Sequence, residues 1–98
     1  MFLLLSRYVK SLEEVNRVLE EHRAFLDRYY ESGLFVASGP LEPRTGGVIL
    51  TVDCPRDVID RALAEDPFIR EGVSEYDIIE FTATKRSARF AEALAANT

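Results

Sequence analysis

With 98 residues, 47% of them apolar and 30% charged, the chain has the make-up of one globular domain and excludes wholesale disorder. Its 17 acidic against 12 basic residues give a net charge of −5, which opposes a phosphate backbone, so nucleic acid is not expected as a partner. A single cysteine, Cys54, permits no internal disulfide and no cysteine metal cluster, and the apolar start is broken at Arg7 far short of a membrane span; the expected setting is the cytoplasm, without a membrane partner.

Residues 1–8 are apolar at both parities, as in a strand covered on both faces. Ser11 and Glu14 form a capping box, which predicts a helix running through Tyr30 and stopping with Gly33 at C′. Its apolar stripe holds Val15, Val18, Leu19, Phe25, Leu26 and Tyr29, and the only histidine, His22, lies on that stripe. The run 34–38 reads as a second strand ended by Gly39-Pro40. After a loop over 41–47, the run 48–53 reads as its hairpin partner, with Gly46-Gly47 as a hairpin element because no P-loop pattern surrounds it. Pro55 suits the first helical position, with Cys54 or Asp53 as cap and Asp57 in the first turn, and this helix should reach about Glu65. Asp66-Pro67 then stops it, 69–72 can form one helical turn, and 73–84 alternates as a fourth strand. Alanine-rich 87–96, with Phe90, Ala91 and Leu94 on one face, predicts a further helix.

The order β-α-β-β-α-β predicts an α+β, ferredoxin-like fold with both main helices on one face of an antiparallel sheet. One domain over 1–98 is expected, with a core over 1–85 and a C-terminal helix and tail over 86–98. The helix-free sheet face would be lined by Leu3, Leu5, Phe35, Ile49, Ile79 and Phe81, or by their opposite-parity neighbours. Covering it with the same face of a second copy is the economical solution, so a homodimer or higher homo-oligomer is expected.

Two polar residues stand where burial is costly. Asp66 continues the stripe of Val58, Ile59, Ala62 and Leu63, and His22 sits on the stripe of the longer helix, which this topology lays alongside. Pairing them would satisfy both. An imidazole titrating near neutrality can carry a proton, an aspartate on one ring nitrogen can fix its tautomer, and Ser38 Oγ with the Gly39 N–H can hold an oxyanion. Arg7 and Tyr8, at the end of the first strand, could reach such a pocket. The plainer reading also stands: His22 as a packed core residue, Asp66 as a cap for the turn over 68–70. Arg44 falls in a loop, and Lys85, Arg86 and Arg89 read as solvated surface. Cys54 has no base beside it and reads as structural, and no metal or cofactor is called for.

Taken together, His22 on its helix, Ser38-Gly39-Pro40 after the second strand, Gly46-Gly47, the Asp66-Pro67-Phe68 corner and Gly72-Val73-Ser74-Glu75 resemble the YciI-like (YCII-related) proteins from residue 1 to about 85. The resemblance implies a ferredoxin-like dimeric α/β barrel related to muconolactone-isomerase-like enzymes. It also implies an active site with His22 and Asp66 as the catalytic pair, Ser38, Gly39 and Pro40 nearby, and Phe68 at the same corner. One branch resembles a dehydrochlorinase acting on a chlorinated hydroxyquinol. This chain departs from the pattern where many members carry an arginine about one turn before the histidine: Val18 and Leu19 stand there, so no anion-binding group is expected from that position. The expected function is acid/base chemistry of isomerase, lyase or dehydrochlorinase type on a small, cyclic or aromatic oxygenated substrate. The alternative is a non-catalytic dimeric module that binds or senses a small ligand in the same pocket.

Overall fold

In the computed structural model, which describes residues 1–95, four strands form one antiparallel sheet: β1 (Phe2–Tyr8), β2 (Phe35–Pro40), β3 (Gly46–Thr51) and β4 (Ser74–Glu80). Their order is β2-β3-β1-β4. Helix α1 (Leu12–Glu31) joins β1 to β2, α2 (Arg56–Leu63) and the one-turn α3 (Pro67–Arg70) join β3 to β4, and α4 (Ala88–Ala95) follows. This is the α+β, ferredoxin-like arrangement that the alternation of periods predicts. The last position of the expected C-terminal helix, Ala96, lies outside the described residues. Among those described, no helix is long and apolar enough to cross a membrane.

Local chemistry accounts for the element boundaries. Ser11 Oγ accepts the Glu14 N–H at 3.3 Å to cap α1, and Gly33, at φ 85°, takes the left-handed position that ends it. Several expected boundaries shift: β2 runs on to Pro40 and α2 stops at Leu63, and four further shifts have a local cause. Strand β3 begins at Gly46 rather than at residue 48, because Gly46 pairs with Arg7 so closely that a Cβ there would stand 1.9 Å from the Ser6 carbonyl oxygen. Pro55 is the residue before α2 rather than its first helical position, and the Asp53 carboxylate is taken by the Met1 ammonium at 2.6 Å and by Arg86 at 3.2 Å instead of capping the helix. The single turn starts at Pro67 rather than at residue 69, since Asp66 caps it and proline presets its first φ. Finally, β4 ends at Glu80 instead of continuing to residue 84, because its partner strand begins at Phe2, directly opposite.

Helices α1 and α2, with the turn α3, cover one face of the sheet. Phe2 and Leu4 of β1, Phe35 and Ile49 pack there against Phe25 of α1 and against Ile59, Ala62 and Leu63 of α2. A second cluster, Val15, Val18, Phe68 and Val73, fills the space under the first half of α1. Burying each large apolar side chain in this way stabilises the fold by roughly 1.5–3 kcal/mol. Phe35 and Ile49 thus belong to the covered face, and not to the open one. A bulge between Phe35 and Ala37 shifts the parity of β2, so that Phe35 and Ser38, three positions apart, both face the helices. The open face carries Leu3, Leu5, Val48, Leu50 and Ile79, in register across three strands.

Candidate functional site

The site is assembled at the corner that follows α2. Asp66 has an extended backbone (φ −71°, ψ 120°), as a residue before proline must, and its carboxylate is fully buried. Oδ1 accepts the Phe68 N–H at 2.9 Å and a hydrogen from His22 Nδ1 at 2.8 Å, while Oδ2 accepts the Tyr76 hydroxyl at 2.7 Å. Burial, and then the charge of the adjacent Asp66, push the Tyr76 phenol far above the ordinary tyrosine range, which keeps it a donor.

His22 reaches this carboxylate from the apolar stripe of α1. An ionised carboxylate can only accept, so Nδ1 carries the hydrogen and the lone pair of the neutral ring lies on Nε2. The imidazole stacks on Phe68 with centroids 3.8 Å apart and planes 2° from parallel, and Phe25 lies at 5.9 Å. One hydrogen bond and one stacked face fix the ring's orientation. Because Phe68 also donates its N–H to Asp66, the same residue orders both members of the pair.

In front of His22 lies a cavity of about 250 Å³ between α1 and the sheet. Of the residues singled out from sequence, His22, Tyr8, Ser38, Gly39, Pro40 and Phe68 line it, and Asp66 stands behind the imidazole. Arg7 does not join them. Tyr8 points to the helices, so its neighbour points to the opposite face, where Arg7 is held by Glu75 at 2.7 Å and Asp77 at 3.5 Å. Ser38-Gly39-Pro40 is the end of strand β2 and not a turn; β2 is an edge strand, which is where a proline is tolerated. The Ser38 hydroxyl is hydrogen-bonded to the Tyr30 phenol, and a Cβ at Gly39 would meet nothing.

Sequence reasoning missed four polar lining residues: Ser6, Tyr76, Arg23 and Arg44. Tyr76 could have been found from register, since it lies opposite Ser6 on the helix-facing side of β4. Arg23 and Arg44 carry no periodic signal, one on the polar side of a helix and the other in a loop. Cys54 is not among the lining residues, and burial raises its thiol above the usual cysteine range, which fits a structural role.

Comparison with known proteins adds two findings. The family described as the YCII-related domain matches residues 1–82. Among solved structures, the chain is similar to 5-chloro-2-hydroxyhydroquinone dehydrochlorinase from Burkholderia phenoliruptrix AC1100, in complex with 2,5-dihydroxybenzoquinone. That match has a TM-score of 0.69 and 18% identity over 84% of this chain and 94% of that one. At that identity the likeness is one of fold. No curated protein matches the chain. The family match runs from the first strand through the fourth and takes in both His22 and Asp66, and on that ground the chain belongs to the YCII-related domain family.

Proposed function

We propose that the chain is a small-molecule enzyme in which His22 moves a proton and Asp66 orients it. The observation that carries this reading is the 2.8 Å contact between His22 Nδ1 and the buried Asp66 carboxylate, on a ring that lines a cavity. With Nδ1–H held from behind, Nε2 can act as a general base, and the imidazolium it becomes is stabilised by the carboxylate. A cavity of about 150 Å³ accepts benzene, so the present one, at about 250 Å³, has room for a single substituted ring. Leu19, Leu26 and Ile49 give it apolar walls and Tyr8 and Ser38 give it polar points, the usual division between binding and orientation.

In the reaction we propose, Nε2 takes a proton from a ring O–H or an activated C–H, and the released electron pair moves into the π system. Where the ring is in its keto form and the halide sits on a tetrahedral carbon, the pair expels that halide and completes an elimination of hydrogen halide; otherwise the imidazolium protonates another carbon, which completes an isomerisation. The named activity of the similar structure, a dehydrochlorinase, supports the first of these classes. The test is a panel of halogenated and halogen-free hydroxyquinols and enol lactones, followed by chloride release and by deuterium incorporation from solvent. His22→Gln is expected to lose about a hundredfold or more in turnover of whichever substrate reacts. A His22→Gln protein with undiminished turnover refutes the acid/base reading, and saturable binding without turnover across the panel favours the ligand-binding alternative.

We also propose that two copies join through the open sheet face. Leu3, Leu5, Val48 and Leu50 form an apolar patch there together with Ile79, which is 45% exposed, and Phe81, 40% exposed, extends it. A two-fold axis through that face would bury the patch against itself. Sedimentation velocity at micromolar concentration should give a dimer, and Leu5→Asp should return it to monomer. A wild-type chain that sediments as a monomer overturns this.

A further inference from the structure

The cavity differs in charge from the rest of the molecule. The chain has 17 acidic residues, yet no aspartate or glutamate lines the cavity, whereas two arginines do, Arg23 and Arg44. Every other arginine except Arg89 reaches a carboxylate at between 2.6 and 3.6 Å. Among the described residues, Arg23 and Arg44 reach none. The nearest acid behind the lining, Asp66, is occupied by three donors and screened by the imidazole.

Arg44 is also held in place without being neutralised. Its Nη2 donates to Asn16 Oδ1 at 2.7 Å, a neutral acceptor, and its guanidinium stands 5.8 Å from the centre of the Tyr8 ring. The loop that carries it is tied at both ends, by Leu41 N–H to the Gly46 carbonyl and by Tyr8 N–H to the Thr45 carbonyl, both at 2.9 Å. A guanidinium offers five N–H donors in a planar fork, and only one is committed here. A charged, oriented and unpaired fork at the wall of a cavity is suited to an anionic, planar acceptor.

We propose that the ligand of this cavity carries an anionic oxygen, as a carboxylate or a ring oxyanion, and that Arg44 receives it with Arg23 adding to the field. This inference rests on the reading of the cavity as the substrate site and names the class of substrate. The anion anchors the ring at the Arg44 wall and leaves another ring position to face His22 Nε2. The same positive charge favours the electron-rich species formed when Nε2 removes a proton.

The experiment measures binding of benzoate, 4-nitrophenolate and neutral benzyl alcohol by calorimetry at low salt, in the wild-type protein and in Arg44→Gln, Arg44→Lys and His22→Gln. At least one anion should bind about tenfold or more tightly than benzyl alcohol; benzoate and 4-nitrophenolate separate the carboxylate from the ring oxyanion. Arg44→Gln should abolish the preference, and Arg44→Lys, which restores charge without the fork, should recover part of it. His22→Gln should keep it, because that ring is not the anion's partner. Loss of turnover in His22→Gln without any anion preference in wild type would overturn the anion site alone. Anion preference with undiminished His22→Gln turnover would uphold it while refuting the acid/base reading. Equal affinity for the neutral probe, no binding of any probe at millimolar concentration, or an Arg44→Gln protein that folds normally and keeps the preference overturns the proposal.

Discussion

Replacing Asp66 by alanine and by asparagine separates the hydrogen bonds of the corner from its charge. The buried carboxylate takes hydrogens from His22 Nδ1 at 2.8 Å, from the Phe68 N–H at 2.9 Å and from the Tyr76 hydroxyl at 2.7 Å. Alanine leaves all three donors facing a small hole. Each buried donor without an acceptor costs about 1–3 kcal/mol. Phe68 is 2% exposed and His22 9%, so neither of their N–H groups has ready access to water. Those two donors alone come to about 2–6 kcal/mol, a large part of the roughly 5–15 kcal/mol that stabilises a domain of this size. At about 4–8 °C per kcal/mol the melting midpoint should fall by about 10 °C or more. Asparagine can keep an oxygen at the Oδ1 position for both N–H donors and turn its amide nitrogen to the Tyr76 oxygen, whose hydroxyl then rotates away. Its cost is the weakening of two charge-assisted bonds, about 1–3 kcal/mol. Urea unfolding followed by far-UV circular dichroism, at one fixed protomer concentration, measures both. Equal losses for the two variants, or a loss below about 1 kcal/mol for alanine, would show that these hydrogen bonds do not hold the corner.

Tyr76 has a phenol raised above its ordinary value of 10.0 by burial and by Asp66, so the unfolded chain releases that proton first and stability should fall as pH rises beyond about 10. In Tyr76→Phe the alkaline slope should be shallower, and an unchanged slope in unfolding measured from pH 8 to about 11 would refute the assignment. Gly46→Ala would put a Cβ 1.9 Å from the Ser6 carbonyl oxygen, forcing β1 and β3 apart at a cost of about 3 kcal/mol or more, whereas Gly39→Ala, with open space around it, should stay within about 1 kcal/mol of wild type. Matching urea midpoints for those two variants would contradict the packing described. Ser11→Ala removes the acceptor of the Glu14 N–H and should cost about 1 kcal/mol; a midpoint equal to wild type would mean that water caps α1 equally well.

The fold was legible wherever a local rule and the tertiary demand coincide. The Ser11 cap, the stripe from Val15 to Tyr29 and the Gly33 stop are all properties of one helix, and they can be read without knowing what it packs against. Boundaries that depend on a partner were not legible in the same way. The end of β4 is decided by where β1 begins, the start of β3 by how closely the Ser6 carbonyl approaches Gly46, and the face of Phe35 by a bulge that no composition rule marks. The Arg7 error has the same origin. A period of two places neighbouring residues on opposite sides, so nominating both Arg7 and Tyr8 for one cavity required one of them to be wrong.

The site divides along a related line. A polar residue is conspicuous in a sequence when it interrupts an apolar stripe, which is why His22 and Asp66 could be singled out. Tyr76 alternates like any strand aromatic, and Arg44 lies in a loop where an arginine is ordinary. What distinguishes Arg44 is that, among the described residues, it forms no ion pair with a carboxylate, and that is a property of spatial neighbours. Arg7 makes the contrast plain: its partner Glu75 is 68 positions away along the chain and 2.7 Å away in the fold. Counting charges along the sequence treats the two arginines alike, although one is cancelled on the open face of the sheet and the other stands over Tyr8 beside the cavity, hydrogen-bonded to a neutral asparagine. The net acidity that argues against a polyanionic partner therefore does not argue against a single anionic group on a small ligand, because the first depends on the summed field at long range and the second on one oriented fork at contact distance.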